Sequence, residues 1–119
     1  MQWNENIKNK ANFGALFSRI YTRDDVTELK PSPQVHELIL AALGASPDDC
    51  LVVEDSLAGV EAANAANIAV VAVADRYSAQ DETQIRARSA AFFSGCAALH
   101  AFFAGGKAGA SSLDKPDAK

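Results

Sequence analysis

Residues 50–74 read CLVVEDSLAGVEAANAANIAVVAVA, and this stretch decides the fold. The continuous apolar run over residues 50–53 is typical of a strand that is buried on both faces of a parallel sheet. A helix is predicted over residues 57–66 with Asn67 closing it, and a second apolar strand over residues 68–74. Because strand, helix and strand follow one another in this order, they form a parallel crossover unit, which is right-handed almost without exception. The sequence therefore predicts an α/β fold.

A second helix precedes this unit. Ser32 and Pro33 fit its N-cap and first helical position, and Gly44 ends it after Leu43. The apolar positions of this helix are predicted to form its buried face: Val35, Leu38, Ile39, Ala42 and Leu43. An amphipathic helix is therefore expected upstream of the first buried strand.

The remaining segments carry weaker signals. They predict a helix over residues 4–13, a strand over 17–22, a helical turn near Ile85, a strand over 90–93 and a helix over 96–103. Residues 104–119 are rich in Gly, Ala, Ser and Lys and are predicted to be a disordered tail. Together these elements predict an open parallel sheet with helices on both faces, formed by residues 1–103 as a partial core.

Composition narrows the classes of function. The 119 residues have room for one domain, and 49% hydrophobic with 22% charged residues is globular composition. The net charge is −4 and no basic stripe occurs, which argues against nucleic acid as a partner. No apolar run approaches the roughly 18 residues of a membrane span, and the first residues are too polar for a signal peptide. Cys50 and Cys96 have no metal-ligand spacing and are expected to be small buried residues of a reduced, cytoplasmic protein.

Glu54 and Asp55 are the first candidates for a functional site. They directly follow a buried strand, and open α/β sheets bind ligands at the carboxyl ends of their strands. Adjacent carboxylates repel each other unless a cation offsets the repulsion, and Mg²⁺ prefers one or two carboxylates together with water and phosphate oxygens. The alternative is that Asp55 or Ser56 only caps the following helix.

Lys30 is a second candidate, because it lies in a loop between a predicted strand and a predicted helix. A lysine held in such a loop can neutralise the oxygens of a phosphoryl group during its transfer. The alternative is an ordinary solvated lysine.

Three further residues have open interpretations. Gly59 lies inside a helix, where Gly lowers helix stability by roughly 1 kcal/mol relative to Ala. It either permits close approach of the helix to a neighbour or ligand, or is a tolerated packing glycine. His36 and His100 have no partners at metal-ligand spacing. Both are expected to be surface or partly packed side chains.

Two motifs together resemble a known family. Lys-Pro-Ser-Pro at residues 30–33 and Val-Glu-Asp-Ser-Leu-Ala-Gly at residues 53–59 resemble the haloacid dehalogenase-like hydrolases, and especially the branch with phosphoglycolate phosphatases and β-phosphoglucomutases. The resemblance implies a Rossmann-like core and a phosphorylated small molecule as substrate. It also implies that Lys30 steadies the nucleophile and the phosphoryl charge, and that Glu54 and Asp55 hold Mg²⁺.

The sequence departs from this family at the nucleophile. Members carry an Asp nucleophile followed two residues later by an acid–base Asp, but no Asp-x-Asp-x-Thr or Asp-x-Asp-x-Val occurs in the 119 residues. Asp24 and Asp25 are adjacent and lie too close to Lys30 to replace that motif. By the same resemblance, we also expect the family's first strand, phosphate-binding Ser or Thr and substrate-selecting cap domain to be missing from these residues. We therefore expect the carboxyl-terminal part of a phosphohydrolase that is inactive alone, because phosphoryl transfer needs a positioned nucleophile.

Other functions stay open, so whether the chain is an enzyme is undecided at this point. An exposed sheet edge could make it a non-catalytic interaction module, a subunit or a homo-oligomer. A phospho-receiver-like domain also combines clustered acids, Mg²⁺ and a lysine. In such domains the acids precede the lysine, whereas here Lys30 comes before Glu54 and Asp55.

Overall fold

The computed structural model describes Arg19 and residues 21–105, which contain a three-stranded parallel sheet. The strands lie in chain order: β1 (Leu51–Glu54), β2 (Ala69–Val73) and β3 (Ala91–Phe93). The α-helices are α1 (Gln34–Leu43), α2 (Leu57–Ala65), α3 (Glu82–Arg88) and α4 (Cys96–Gly105). Short 3₁₀ helices occupy Arg23–Asp25, Pro47–Asp49 and Arg76–Asp81. The predicted α/β class with an open parallel sheet is confirmed.

The strand register brings the ends of the strands to a common edge. Leu51 lies opposite Ala69 and Glu54 opposite Ala72 in the β1–β2 pair. Both strand pairs are parallel, so all three carboxyl ends face the same side of the fold. Any polar residues that follow β1 and β2 are therefore neighbours in space.

Helices cover both faces of the sheet, as the sequence predicts. On one face, α2 and α3 pack against the strands and form a core cluster with them. The buried members of this cluster are Val60, Ala63, Val70, Ala72, Ile85 and Phe92. On the other face, α4 packs Leu99 and Phe102 against Val71 and Phe93. The rings of Phe93 and Phe102 lie 5.6 Å apart between centroids. Each face thus has its own apolar cluster.

β1 is less buried than its apolar sequence predicts. Leu51 and Val53 are each about half exposed, whereas the residues of β2 from Val70 to Val73 are buried. The expectation of a strand buried on both faces is wrong for β1. Within the described residues β1 pairs on one side only, and α4 packs against β2 and β3 rather than against β1.

The ends of α1 and α2 follow local sequence signals. Gly44 closes α1 in the left-handed conformation with φ of 65°, and Asn67 follows α2 with φ of 63°. The N-cap of α1 is Pro33 rather than the predicted Ser32. Ser32 nevertheless acts as a cap, since its Oγ accepts a hydrogen bond from the backbone N of Gln34 at 3.2 Å.

The predicted buried face of α1 is wrong. Its apolar positions are half-buried or exposed, and His36 is the one buried residue of the helix. The reason lies in packing, because the main partner of α1 in the described part of the chain is α2 and not the sheet.

Other predictions extend beyond the described residues. The helix over residues 4–13 lies outside them. Of the strand over residues 17–22, Arg19, Tyr21 and Thr22 are described, and none of the three belongs to a strand. The helix α4 continues to Gly105, and residues 106–119 lie outside the described part. None of the described helices is long and apolar enough to cross a membrane.

Candidate functional site

Three carboxylates lie at the carboxyl ends of β1 and β2. Glu54 is the last residue of β1 and Asp55 follows it, whereas Asp75 comes two residues after β2. All three line one cavity of about 380 Å³, together with the thiol-bearing Cys96 at the start of α4. The site is therefore acidic and lies where parallel sheets bind ligands.

Lys30 forms an ion pair with the end of β1. Its Nζ donates a hydrogen bond to Oε2 of Glu54. The Glu54 side chain is only 11% exposed, so its charge would be costly without a cationic partner. The pair joins residues 24 positions apart in the chain and fixes the loop before α1 against the sheet.

The loop that carries Lys30 is held by the first residue of α1. Oε1 of Gln34 accepts hydrogen bonds from the backbone N of Thr27 at 2.6 Å and of Glu28 at 2.8 Å. Nε2 of Gln34 donates to Oγ1 of Thr27 at 2.9 Å, and Ser32 Oγ donates to Glu28 Oε1 at 3.0 Å. Sequence reasoning missed Gln34, because a glutamine at a helix start carries no signal of a contact seven residues upstream.

Gly59 makes room for the Glu54 carboxylate. It is buried in the first turn of α2, where its backbone N donates to Oγ of Ser56, the N-cap, at 3.1 Å. A Cβ atom on Gly59 would overlap the carboxylate of Glu54. Of the two interpretations of this glycine, close approach to a neighbour therefore holds, and the neighbour is Glu54.

Asp55 and Lys30 occupy different positions at the site. Asp55 is exposed and lines the acidic cavity, whereas Lys30 lines cavities on the side of α1 with Tyr21 and His36. The structure thus places Lys30 in contact with Glu54, which precedes Asp55 in the chain. Among the described residues, no hydrogen bond joins Lys30 to Asp55. The catalytic role of Lys30 and the metal-binding role of the two acids stay predictions.

Asp75 is a site residue that the sequence analysis missed. Its side chain accepts a hydrogen bond from the backbone N of Tyr77 at 3.0 Å and caps the 3₁₀ helix Arg76–Asp81. The available signal is the one that identifies Asp55, a carboxylate placed just after a buried apolar run.

His36 lies in the interior beside the ion pair and is more buried than the surface or partly packed position that the sequence predicts. It is 8% exposed, and its Nε2 has no hydrogen-bond partner among the described residues. Burial and the nearby charge of Lys30 lower the pKa of His36 below 6.5, while Glu54 acts in the opposite direction. The imidazole is therefore neutral at pH 7.

The lowered pKa of His36 predicts a pH-dependent stability. In the unfolded chain the imidazole binds a proton as pH falls below about 6.5, whereas in the folded chain it stays neutral to lower pH. The free energy of unfolding should therefore decrease as pH falls from 7 toward 5, and level off below the folded-state pKa. Urea denaturation at several pH values measures this, and His36→Gln should flatten the profile. His100→Gln is the matched control on an exposed position, and an equal flattening there would contradict the assignment.

The two cysteines differ from expectation. Cys50 is half-buried and Cys96 is exposed, so the prediction that both are buried is wrong. Cys96 is the first residue of α4 and lines the acidic cavity.

The donor set suits a hard cation. The carboxylates offer oxygen ligands, which Mg²⁺ prefers, and Mg²⁺ typically uses one or two of them while keeping several waters. No cluster of three or more His, Cys, Asp or Glu residues that could hold a metal ion occurs among the described residues. The acids thus fit a cation that takes its remaining ligands from water and from a phosphate.

Comparison with known proteins identifies the relatives of the chain. A family model described as haloacid dehalogenase-like hydrolase matches residues 3–73. Protein CbbY of Rhodobacter capsulatus is 39% identical over 69 residues, which cover 58% of this chain and 30% of that protein. Putative phosphatase YhcW of Bacillus subtilis is 43% identical over 60 residues, covering 50% and 27% respectively. Pyrophosphatase PpaX of Oceanobacillus iheyensis is 39% identical over 59 residues, covering 50% and 28%. The chain therefore spans less than a third of the length of each of these relatives.

Proposed function

Because the chain belongs to the haloacid dehalogenase-like hydrolases, we propose that Lys30, Glu54 and Asp55 bind Mg²⁺ and phosphate in a phosphatase or phosphomutase. The substrate class is a phosphorylated small molecule. The observation that carries this proposal is the Lys30–Glu54 ion pair at the carboxyl end of β1, beside a cavity that Asp55 lines.

The cation would be held by carboxylates of the acidic cavity. Asp55 is the foremost ligand because it is exposed and makes no hydrogen bond among the described residues, and Glu54 keeps one oxygen beyond the one that Lys30 engages. Hydrolases of this family generally use Mg²⁺. When bound, Mg²⁺ supplies positive charge that stabilises the oxygens of a transferring phosphoryl group.

Lys30 supplies the second positive charge. Its ammonium group is held by Glu54 and by the loop that Gln34 organises, so its position does not depend on substrate. A preorganised cation stabilises developing phosphoryl charge without the cost of reorganisation during reaction. Lys30 thus orients and neutralises the phosphate, but it does not attack phosphorus.

The attacking group has to come from outside these 119 residues. The sequence holds no Asp-x-Asp-x-Thr or Asp-x-Asp-x-Val, and the acids at the site are assigned to the cation. We therefore infer that the chain binds cation and phosphate but turns over no substrate unless a nucleophile is supplied by another polypeptide segment.

A cation titration tests the proposed binding. Mn²⁺, a paramagnetic substitute for Mg²⁺, should broaden the amide signals of residues 54–56 and 74–76 first in ¹H–¹⁵N NMR spectra. Asp55→Asn should weaken Mn²⁺ binding by roughly fivefold or more, since one charge pair at about 4 Å contributes about 1 kcal/mol even in water. Asp48→Asn, at the opposite end of β1, is the control and should change little. Equal effects of the two substitutions would refute the site.

An activity assay tests the inferred incompleteness. The pure chain with Mg²⁺ and an aryl phosphate should release no phenol above the buffer rate. Turnover that Asp55→Asn abolishes would show a complete active site and contradict the inference, whereas turnover that survives the substitution would indicate a contaminating phosphatase.

A further inference from the structure

We propose that a cavity beside α1 binds an organic monoanion, which is a carboxylate attached to a hydrocarbon body. This binding site is separate from the acidic cavity at the ends of β1 and β2. The inference goes beyond the proposed function, because neither the cation nor the phosphate takes part in it.

The cavity has the size of a small-molecule site. Its volume is about 390 Å³, and ligand pockets typically measure about 300–1,000 Å³. None of the described residues that line it also lines the acidic cavity. The two cavities therefore have room for different ligands at the same time.

One wall of the cavity is an apolar face of α1. Val35, Ile39 and Leu43 line it, and because they are spaced four residues apart they lie on the same face of the helix. Val35 and Ile39 are half-buried, and Leu43 is 49% exposed. Covering apolar side chains of this kind with a hydrocarbon group is favourable, so this wall suits the hydrocarbon body of the ligand.

The polar lining of the same cavity is cationic. Lys30, Arg19 and Tyr21 line it, and none of its described lining residues is acidic. The ammonium group of Lys30 has three N–H donors, of which one binds Glu54. A carboxylate in the cavity would therefore accept charge-assisted hydrogen bonds, which are stronger than those between neutral groups.

His36 reports the sign of the charge in this part of the fold. It lines the cavity and is 8% exposed, and its Nε2 has no hydrogen-bond partner among the described residues. The charge of Lys30 lowers the pKa of His36 more than the charge of Glu54 raises it. The potential that the ion pair creates at the imidazole is thus positive. Because Glu54 offsets part of the charge of Lys30, the cavity suits a monoanion better than a dianion.

A series of related ligands tests the proposal on the 119-residue chain without Mg²⁺. 4-Phenylbutyrate should shift the methyl signals of Val35 and Ile39 in ¹H–¹³C NMR spectra. It should bind about tenfold more tightly than the neutral 4-phenylbutan-1-ol, as expected for a charge-assisted hydrogen bond. Butyrate, which lacks the ring, should bind at least about tenfold more weakly than 4-phenylbutyrate. 3-Phenylpropylphosphonate, studied above its second pKa as a dianion, should bind no more tightly than 4-phenylbutyrate.

Matched substitutions locate the site. Ile39→Ser should weaken the binding of 4-phenylbutyrate at least about fivefold, because it removes part of the apolar wall. Leu40→Ser, at a half-buried position of α1 that does not line the cavity, should leave the affinity unchanged. Lys30→Met together with Glu54→Gln removes both charges of the ion pair and should reduce the preference for the carboxylate over the alcohol to less than about threefold. Circular dichroism checks that each variant folds, and the ligand series on the parent chain does not depend on the variants.

The outcomes decide each part of the proposal. If 4-phenylbutyrate does not bind the parent chain, or if it shifts the signals of Asp55 and Asp75 instead of those of Val35 and Ile39, the site is refuted. Equal affinities for the carboxylate and the alcohol would refute the anionic end of the ligand, and tighter binding of the phosphonate would refute the choice of a monoanion. Equal weakening by Ile39→Ser and Leu40→Ser would refute the location. The binding of Mn²⁺ at Asp55 is measured separately, so these failures are distinct from a failure of the proposed function.

Discussion

Replacing Phe92 by Ala is expected to lower the free energy of unfolding by about 3–5 kcal/mol, the usual cost of removing a buried aromatic ring. Phe92 is 3% exposed and belongs to the cluster that joins β2, β3, α2 and α3. The guanidinium carbon of Arg86 lies 4.1 Å from the centroid of its ring, which adds a cation–π contact. Urea denaturation followed by circular dichroism measures the change.

The loss should remove a large part of the total stability, because small domains are stable by only about 5–15 kcal/mol. Phe103→Ala is the matched control, since Phe103 is 52% exposed and surface substitutions usually change stability by less than about 0.5 kcal/mol. Similar effects of the two substitutions would contradict the assignment of Phe92 to the buried cluster on the α2–α3 face of the sheet.

The elements of the fold that local chemistry determines could be predicted from the sequence. The apolar runs give β1 and β2 within one or two residues, and Ser56 and Asn67 mark the two ends of α2. These signals are local, because a cap or a strand depends on neighbouring residues along the chain. The family resemblance follows from the same short segments.

What the sequence does not predict depends on packing between distant segments. The apolar run that contains Leu51 and Val53 predicts that both are buried. Both are about half exposed, because α4 packs against β2 and β3 and not against β1. His36 is predicted to be at the surface or partly packed, yet α1 buries it beside Lys30 and Glu54. A periodicity shows which residues share a face, but it does not show what that face contacts.

The candidate site is an intermediate case. Strand order predicts that Glu54 and Asp55 lie at a ligand-binding edge, and the same rule applied to β2 identifies Asp75. The contact of Lys30 with Glu54 needs a partner 24 residues away, and the use of Gly59 depends on where the Glu54 side chain lies. Chemistry-bearing residue types are thus visible in the sequence, whereas their pairing is visible only in the fold.

Replacing Gly59 by Ala is expected to separate the site from the stability of the fold. The added Cβ would occupy the place of the Glu54 carboxylate, and because that carboxylate ends a flexible side chain it can swing away and leave Lys30 unpaired. Ala favours the helix by about 1 kcal/mol over Gly, which offsets a comparable loss from the broken ion pair. The free energy of unfolding should therefore stay within about 1 kcal/mol of the parent value.

A double-mutant cycle detects the broken contact directly. Lys30→Met and Glu54→Gln, singly and together, should show a coupling of about 1.5 kcal/mol in the parent chain, roughly tenfold in the unfolding equilibrium. In the Gly59→Ala background the coupling should fall to near zero. Gly95→Ala is the control, since a Cβ there meets no atom within 4 Å, and it should preserve the coupling. If the coupling persists after Gly59→Ala, Glu54 still pairs with Lys30 after its side chain has moved to a second position. The glycine would then serve the packing of α2 and not the placement of the carboxylate.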